Sequence, residues 1–225
     1  MLKTIKLIFS FLQIPDDKKS GLNIIKTFLS GLIIIFLISL ICHFLAEILG
    51  RFGLENPFTN LHSNEQIILN KYGLPALIGI LLLMPLVEET IFRLPLRPKF
   101  IHNALSCILL IGIIIANFLA HKEYTSQLIF IGFSLLVLIN LWLNRNRFRL
   151  LVYFSAILFG LMHILNFLPL NFNSLGICMV LIIPQIFVGL MLSYIRIKCN
   201  FWLGCLFHII FNLPHIIILL IKFST

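Results

Sequence analysis

The sequence predicts an all-α fold: a polytopic membrane-helix bundle. Three observations carry that expectation. The 225-residue chain is 60% apolar and only 11% charged, its mean hydropathy is +1.08, and apolar runs recur with short connections between them. Soluble domains lie outside that composition. Bilayer hydrocarbon takes about 20 helical residues to cross, and runs of that order fall at 24–47, 74–97, 103–120, 126–143, 149–168, 175–195 and 200–222. Seven spanning helices are therefore expected, within one integral domain over 21–225.

The elements can be justified in order. Residues 1–20, MLKTIKLIFSFLQIPDDKKS, have a basic start and a short apolar stretch closed by a polar block. No small-residue cleavage site follows, so an interfacial amphipathic helix is expected rather than a cleaved signal. The connection 48–73 is the longest, with room for a short surface helix at QIILNKY. Seventeen Lys and Arg face eight Asp and Glu. In a soluble protein that excess would suggest nucleic acid. Here the cations sit in the connections, so they report topology and no nucleic-acid partner is expected. A cytoplasmic N-terminus puts twelve Lys/Arg inside and four outside, with Arg93 left within its helix. A bacterial plasma membrane is the expected location. The five cysteines form no CxxC and mostly fall in apolar runs, which excludes a zinc knuckle or disulfide framework.

Polar groups inside the spanning runs are few: His43, Glu47, Glu88, Glu89, Arg93, Asn117, Asn140, His163, Asn166, Gln185, His208, Asn212 and His215. An ionisable side chain at membrane depth costs roughly 2.5–3.5 kcal/mol on insertion scales, so such groups need partners, a wet cavity or a task. None of the Ser or Cys residues sits beside a base, which leaves acid–base or metal chemistry. Glu88 and Glu89 point about 100° apart on a helix, so they take different roles. Arg93 lies within one turn of both. One acid is expected to face a cavity as general base while the other pairs with Arg93; a structural Glu–Arg clamp is the plainer reading. His163, with Phe159 one turn earlier, reads equally as a hydrogen-bonded core histidine. His208 and Asn212 share a helix face and offer two donors to one point, suiting a developing oxyanion or a bond between helices.

Taken together in chain order, EETIFR (EExxxR), FGLMH (FxxxH) and HIIFN (HxxxN), each on its own hydrophobic helix, resemble the CAAX protease and bacteriocin-processing (Abi) family, which includes the type II CAAX prenyl endopeptidases. The resemblance covers 74–216, and Pro85 and FVGLMLSYIR at 187–196 are similar to the family's pattern too. It implies an intramembrane endopeptidase acting on a membrane-bound or lipidated, CAAX-like protein or peptide. Glu88 would be the base that activates water, helped by His163; His208 and Asn212 would stabilise the oxyanion; Glu89 and Arg93 would organise the site or contact substrate. The chain departs from the pattern where two apolar runs, 103–120 and 126–143, intervene between the first two motifs, and where Leu94 and Pro95 follow Arg93.

Depth poses a difficulty. At 1.5 Å per residue Glu88 would lie about 9–15 Å from the cytoplasmic face and His163 about 20 Å from it, so tilt or a projecting helix is required. No cofactor is expected in the metal-free chemistry, where Glu88 and His163 polarise water. The alternative is a divalent ion such as zinc on Glu88, His163 and His208. Two other classes stay open: a non-catalytic binding or immunity module on the same fold, and a proton-coupled transporter, which internal repeats would support.

Overall fold

The computed structural model describes residues 2–16, 23–97, 99–119, 148–169 and 171–224. The helices are α1 (Leu2–Gln13), α2 (Ile24–Arg51), α3 (Phe58–Phe92), α4 (Phe100–Leu119), α5 (Phe148–Met162), α6 (Phe172–Lys198) and α7 (Phe201–Ser224). Short 3-10 turns, Leu94–Leu96 and His163–Phe167, follow α3 and α5. There is no strand among the described residues.

Four helical stretches are long and apolar enough to cross a bilayer: α2, α5 with its 3-10 turn, α6 and α7. The broken helix α3 adds a fifth if its two parts count as one span. Among the described residues, therefore, four or five of the expected seven spans are found. The run 126–143 lies outside the described residues, and the expected span 103–120 falls on α4, Phe100–Leu119. Only 17% of the most apolar window of α2 is buried within the protein. Side chains such as Ile33, Phe36, Leu40 and Phe44 are left exposed, which requires lipid against them.

In α1, Thr4, Ile8 and Phe11 are buried at helical spacing. The helix docks on α5 and α6: Tyr153 donates to Leu12 O at 2.8 Å and Gln13 O at 2.7 Å, Phe11 meets Tyr194 edge-on at 5.1 Å, and Lys198 pairs with Asp16. Arg97 reaches Ile197 O from α6. One end of the bundle thus gathers the amphipathic helix with Arg97 and Lys198. At the start of α6, Asn171 and Ser174 form a reciprocal capping box, and Asn171 also donates to Glu55. The QIILNKY stretch is helical, ahead of a break at Gly73 (φ 80, ψ 168). The parts of α3 on either side of 76–81 diverge by 85°. Gly73 permits the break because its positive φ is open to glycine without a Cβ clash.

The core lies mainly between α5 and α6, where Val152, Ala156, Leu158 and Phe159 meet Val188, Leu192 and Ile195, all buried. Association in lipid relies on close van der Waals packing, for which small residues are needed. A Cβ on Gly160 would come within 2.9 Å of Ile186 N, and one on Gly189 within 3.0 Å of both Ala156 Cα and O. Those neighbours are backbone atoms and yield little. Gly189→Ala is therefore expected to destabilise the protein by about 1–3 kcal/mol, read as a lower midpoint in thermal or detergent denaturation. A midpoint equal to wild type would refute this account of the interface.

Helix α3 stops at Phe92 because Pro95 lacks an N–H and disfavours helical geometry at Leu94. The end carbonyls gain other donors: Ser155 Oγ to Phe92 O at 2.7 Å, and Arg196 to Arg93 O at 3.1 Å and Leu94 O at 3.4 Å. Leu94, Pro95 and Leu96 are buried as a result. The Leu-Pro departure from the family pattern thus forms a capped turn within the bundle.

Candidate active site

The Ser155–Phe92 bond sets the register of α5 against α3. One turn further along α5, Phe159 comes level with the two acids. His163 lies another turn on and about one helical rise, ~5 Å, deeper. The apparent mismatch in depth is thereby reduced to a distance that side chains bridge.

Phe159 is fully buried and sits at the centre of the site. Its ring meets His163 edge-on at 4.8 Å and His208 at 5.5 Å, and Arg93 Cζ lies 3.9 Å from its centroid. A guanidinium over a desolvated ring face gains about 2 kcal/mol or more. Arg93 is completely buried. It lies 3.8 Å from Glu89 Oε1, an ion-pair distance too long for a hydrogen bond. None of its guanidinium nitrogens has a hydrogen-bond partner among the described residues. Gly189 contributes space here as well, since a Cβ would come 3.0 Å from Arg93 Nη2.

His208 on α7 stands between the acids. Its Nδ1 donates to Glu89 Oε1 at 3.1 Å, which leaves Nε2 facing Glu88 Oε2 at 3.6 Å. The acids differ sharply in access: the Glu88 side chain is 21% exposed and that of Glu89 only 1%. The 100° between them separates a partly open carboxylate from a closed one. His163 directs Nδ1 to Phe159 O at 2.9 Å. The carbonyl is an acceptor, so Nδ1 carries the proton and Nε2 is free to address the cavity. His163 also lies within electrostatic reach of Glu88, His208 and Arg93. Asn212 is half-buried one turn beyond His208, and no hydrogen bond or ion pair joins it to these groups among the described residues.

Five of the six residues singled out in sequence, Glu88, Glu89, Arg93, His163 and His208, thus gather around one aromatic ring. Asn212 is placed by helix spacing alone. By contrast, Glu47 forms an exposed pair with Arg51 at 3.3 Å, and Asn140 lies outside the described residues. The sequence reading missed the central place of Phe159, although FxxxH contains it. It also missed the hold of Glu89 on His208, and it counted Arg196 only as a topology charge.

Among the described residues no three His, Cys, Asp or Glu side chains are grouped to hold an ion.

No curated protein and no solved structure matches the chain. A family model does match, described as type II CAAX prenyl endopeptidase Rce1-like, over residues 70–214. That range takes in Glu88, Glu89, Arg93, His163, His208 and Asn212, and is more than half of the chain. With its apolar helices, the protein is a multi-pass membrane protein. It belongs to the Rce1-like family of type II CAAX prenyl endopeptidases, a family of membrane proteases.

Proposed function

We propose that the protein is an intramembrane endopeptidase that hydrolyses a peptide bond in a membrane-bound or lipidated, CAAX-like protein or peptide. One observation carries the reading. Two adjacent carboxylates flank a single imidazole, and only Glu88 keeps access to solvent. Glu89 and Arg93 are positioning residues that hold His208 and the end of α3.

In the proposed reaction Glu88 takes a proton from a water that His163 Nε2 also orients. The water oxygen bonds to the scissile carbonyl carbon, and the carbonyl oxygen becomes an oxyanion. In its imidazolium form, with a proton on each ring nitrogen, His208 keeps Nδ1 on Glu89 and donates from Nε2 to that oxyanion, as does Asn212 Nδ2, each such donor being worth about 10²–10³ in rate. Collapse breaks the C–N bond, and the proton held by Glu88 passes to the departing amine. The Phe159 ring and the buried Arg93 keep bulk water from the inner side of the site. The step uses no resident metal. Water would reach Glu88 from the basic end of the bundle, which by charge is the cytoplasmic side of a bacterial plasma membrane.

The experiment is a peptidase assay in nanodiscs against membrane-anchored and prenylated peptides. Wild type is expected to cleave one class, His208→Ala to lose at least about 10²-fold in kcat, and a chelator to leave wild type unchanged. Inactivation by chelation with recovery on zinc would replace the metal-free step. Glu88-dependent proton flux in liposomes with no hydrolysis of any peptide would favour a transporter instead.

A further inference from the structure

A cavity of about 620 Å³ opens at the basic end of the bundle. Its lining includes Arg97, Lys99 and Arg196, with His102, Phe201 and Trp202. No described residue in the lining carries a carboxylate. Three cations around a cavity without an acid repel one another, and Arg97 and Arg196 are close enough to do so directly. The nearby acid Asp16 is engaged by Lys198.

The cations are held in place. Arg97 is tied to Ile197 O at 2.5 Å. Arg196 is bound to Arg93 O and Leu94 O and lies 5.5 Å from the Phe201 ring centroid. His102 Nδ1 meets Arg97 O at 2.6 Å, so its Nε2 is left for another partner. Lys99 is exposed and forms no ion pair among the described residues. The first turns of α4, at Ile101 and His102, and of α7, at Phe201 and Trp202, both reach the lining. Two helix N-termini therefore add their positive ends to the charge of the side chains. Trp202 is 71% exposed at the rim, where an indole suits the headgroup level of a bilayer.

An anchored set of cations, two helix N-termini and an interfacial Trp at the edge of the hydrocarbon fit one kind of ligand. We infer that this cavity binds the phosphate headgroup of an anionic phospholipid from the leaflet at the basic end of the bundle. Lys99 and the guanidinium groups meet the phosphate oxygens, and Trp202 lies beside the glycerol and upper acyl chain. Bound there, the lipid would hold the Leu94–Leu96 turn against α6 and thereby the end of α3. The site does not depend on the proposed peptidase reading.

The chain has two tryptophans, so Trp142→Phe leaves Trp202 as the only indole. The full-length protein would be reconstituted in phosphatidylcholine vesicles with rising fractions of brominated phosphatidylglycerol or brominated phosphatidylcholine. At equal fraction the anionic lipid is expected to quench Trp202 as if enriched about fivefold or more, since each basic residue near the surface contributes about that factor. Lys99→Glu should narrow the gap between the two curves by about that factor or more, whereas Lys99→Arg should keep it. Glu88→Gln should leave the preference unchanged, which separates this site from the catalytic proposal. Coincident curves for the Trp202-only protein, or an undiminished preference in folded Lys99→Glu, would overturn the inference. Erasure of the preference by inorganic phosphate, at ionic strength matched with chloride, would assign the cavity to soluble phosphate and overturn the lipid reading. Erasure by an acidic peptide would do the same in favour of a protein tail.

Discussion

Glu88→Gln is expected to lower kcat by at least about 10²–10⁴-fold while leaving the fold intact. The amide has nearly the size and shape of the carboxylate, so packing is kept, but it cannot accept a proton from water. The side chain is partly open and approaches His208 at 3.6 Å without a hydrogen bond, so its replacement leaves no short contact unsatisfied. Thermal stability should therefore stay near that of wild type. The same change at Glu89 should behave differently. Glu89 accepts from His208 Nδ1 and is closed to solvent, and Glu89→Gln removes the charge facing Arg93. Its cost should appear in the denaturation midpoint as well as in rate. The decisive measurement compares kcat and midpoint for the two variants, each purified in nanodiscs. If Glu88→Gln keeps full activity, the base has been assigned to the wrong residue.

Arg93→Met is expected to cost about 3–5 kcal/mol of stability, because it leaves the Glu89 carboxylate buried without its cation. The geometry explains why so much rests on one side chain. Arg93 is fully buried, and its guanidinium has no hydrogen-bond partner among the described residues. It is held instead by the charge of Glu89 at 3.8 Å and by the face of Phe159 at 3.9 Å. Removing both charges in Glu89→Gln with Arg93→Met should recover part of the loss, since an uncharged pair imposes no unpaired buried ion. Additive losses in that double variant would show that Arg93 acts through packing on Phe159 alone. Activity would not return in either case, because His208 loses the carboxylate that orients it.

How much was legible in the sequence follows from the range of each force. The helical, membrane-embedded character could be read directly, because hydrocarbon length and the cost of burying charge act on each segment by itself. The helix at 2–13 could be read from its apolar spacing, whereas the span expected over 74–97 overran the stop of α3 at Phe92. The count of seven spans rested on hydropathy, and four or five are found among the described residues. Hydropathy marks a run as apolar without showing whether it crosses, and it does not reveal the break at Gly73, which depends on a backbone angle. For the site, the EExxxR, FxxxH and HxxxN spacings put each group of side chains within one turn of one helix, and the resemblance to the family singled them out.

The sequence alone determined which groups are available for chemistry: two neighbouring acids, an arginine one turn on, two histidines and an amide, all in apolar surroundings. Tertiary structure decided how they divide the work. Only the packing of α3, α5 and α7 opened Glu88 and closed Glu89. It set Phe159 between Arg93, His163 and His208, and it turned Arg196 from a surface charge into a cap on the end of α3. The physical reason is that a side chain's burial and partners are set by residues from distant parts of the chain. Local periodicity fixes the face on which a residue lies, but not what comes to cover that face.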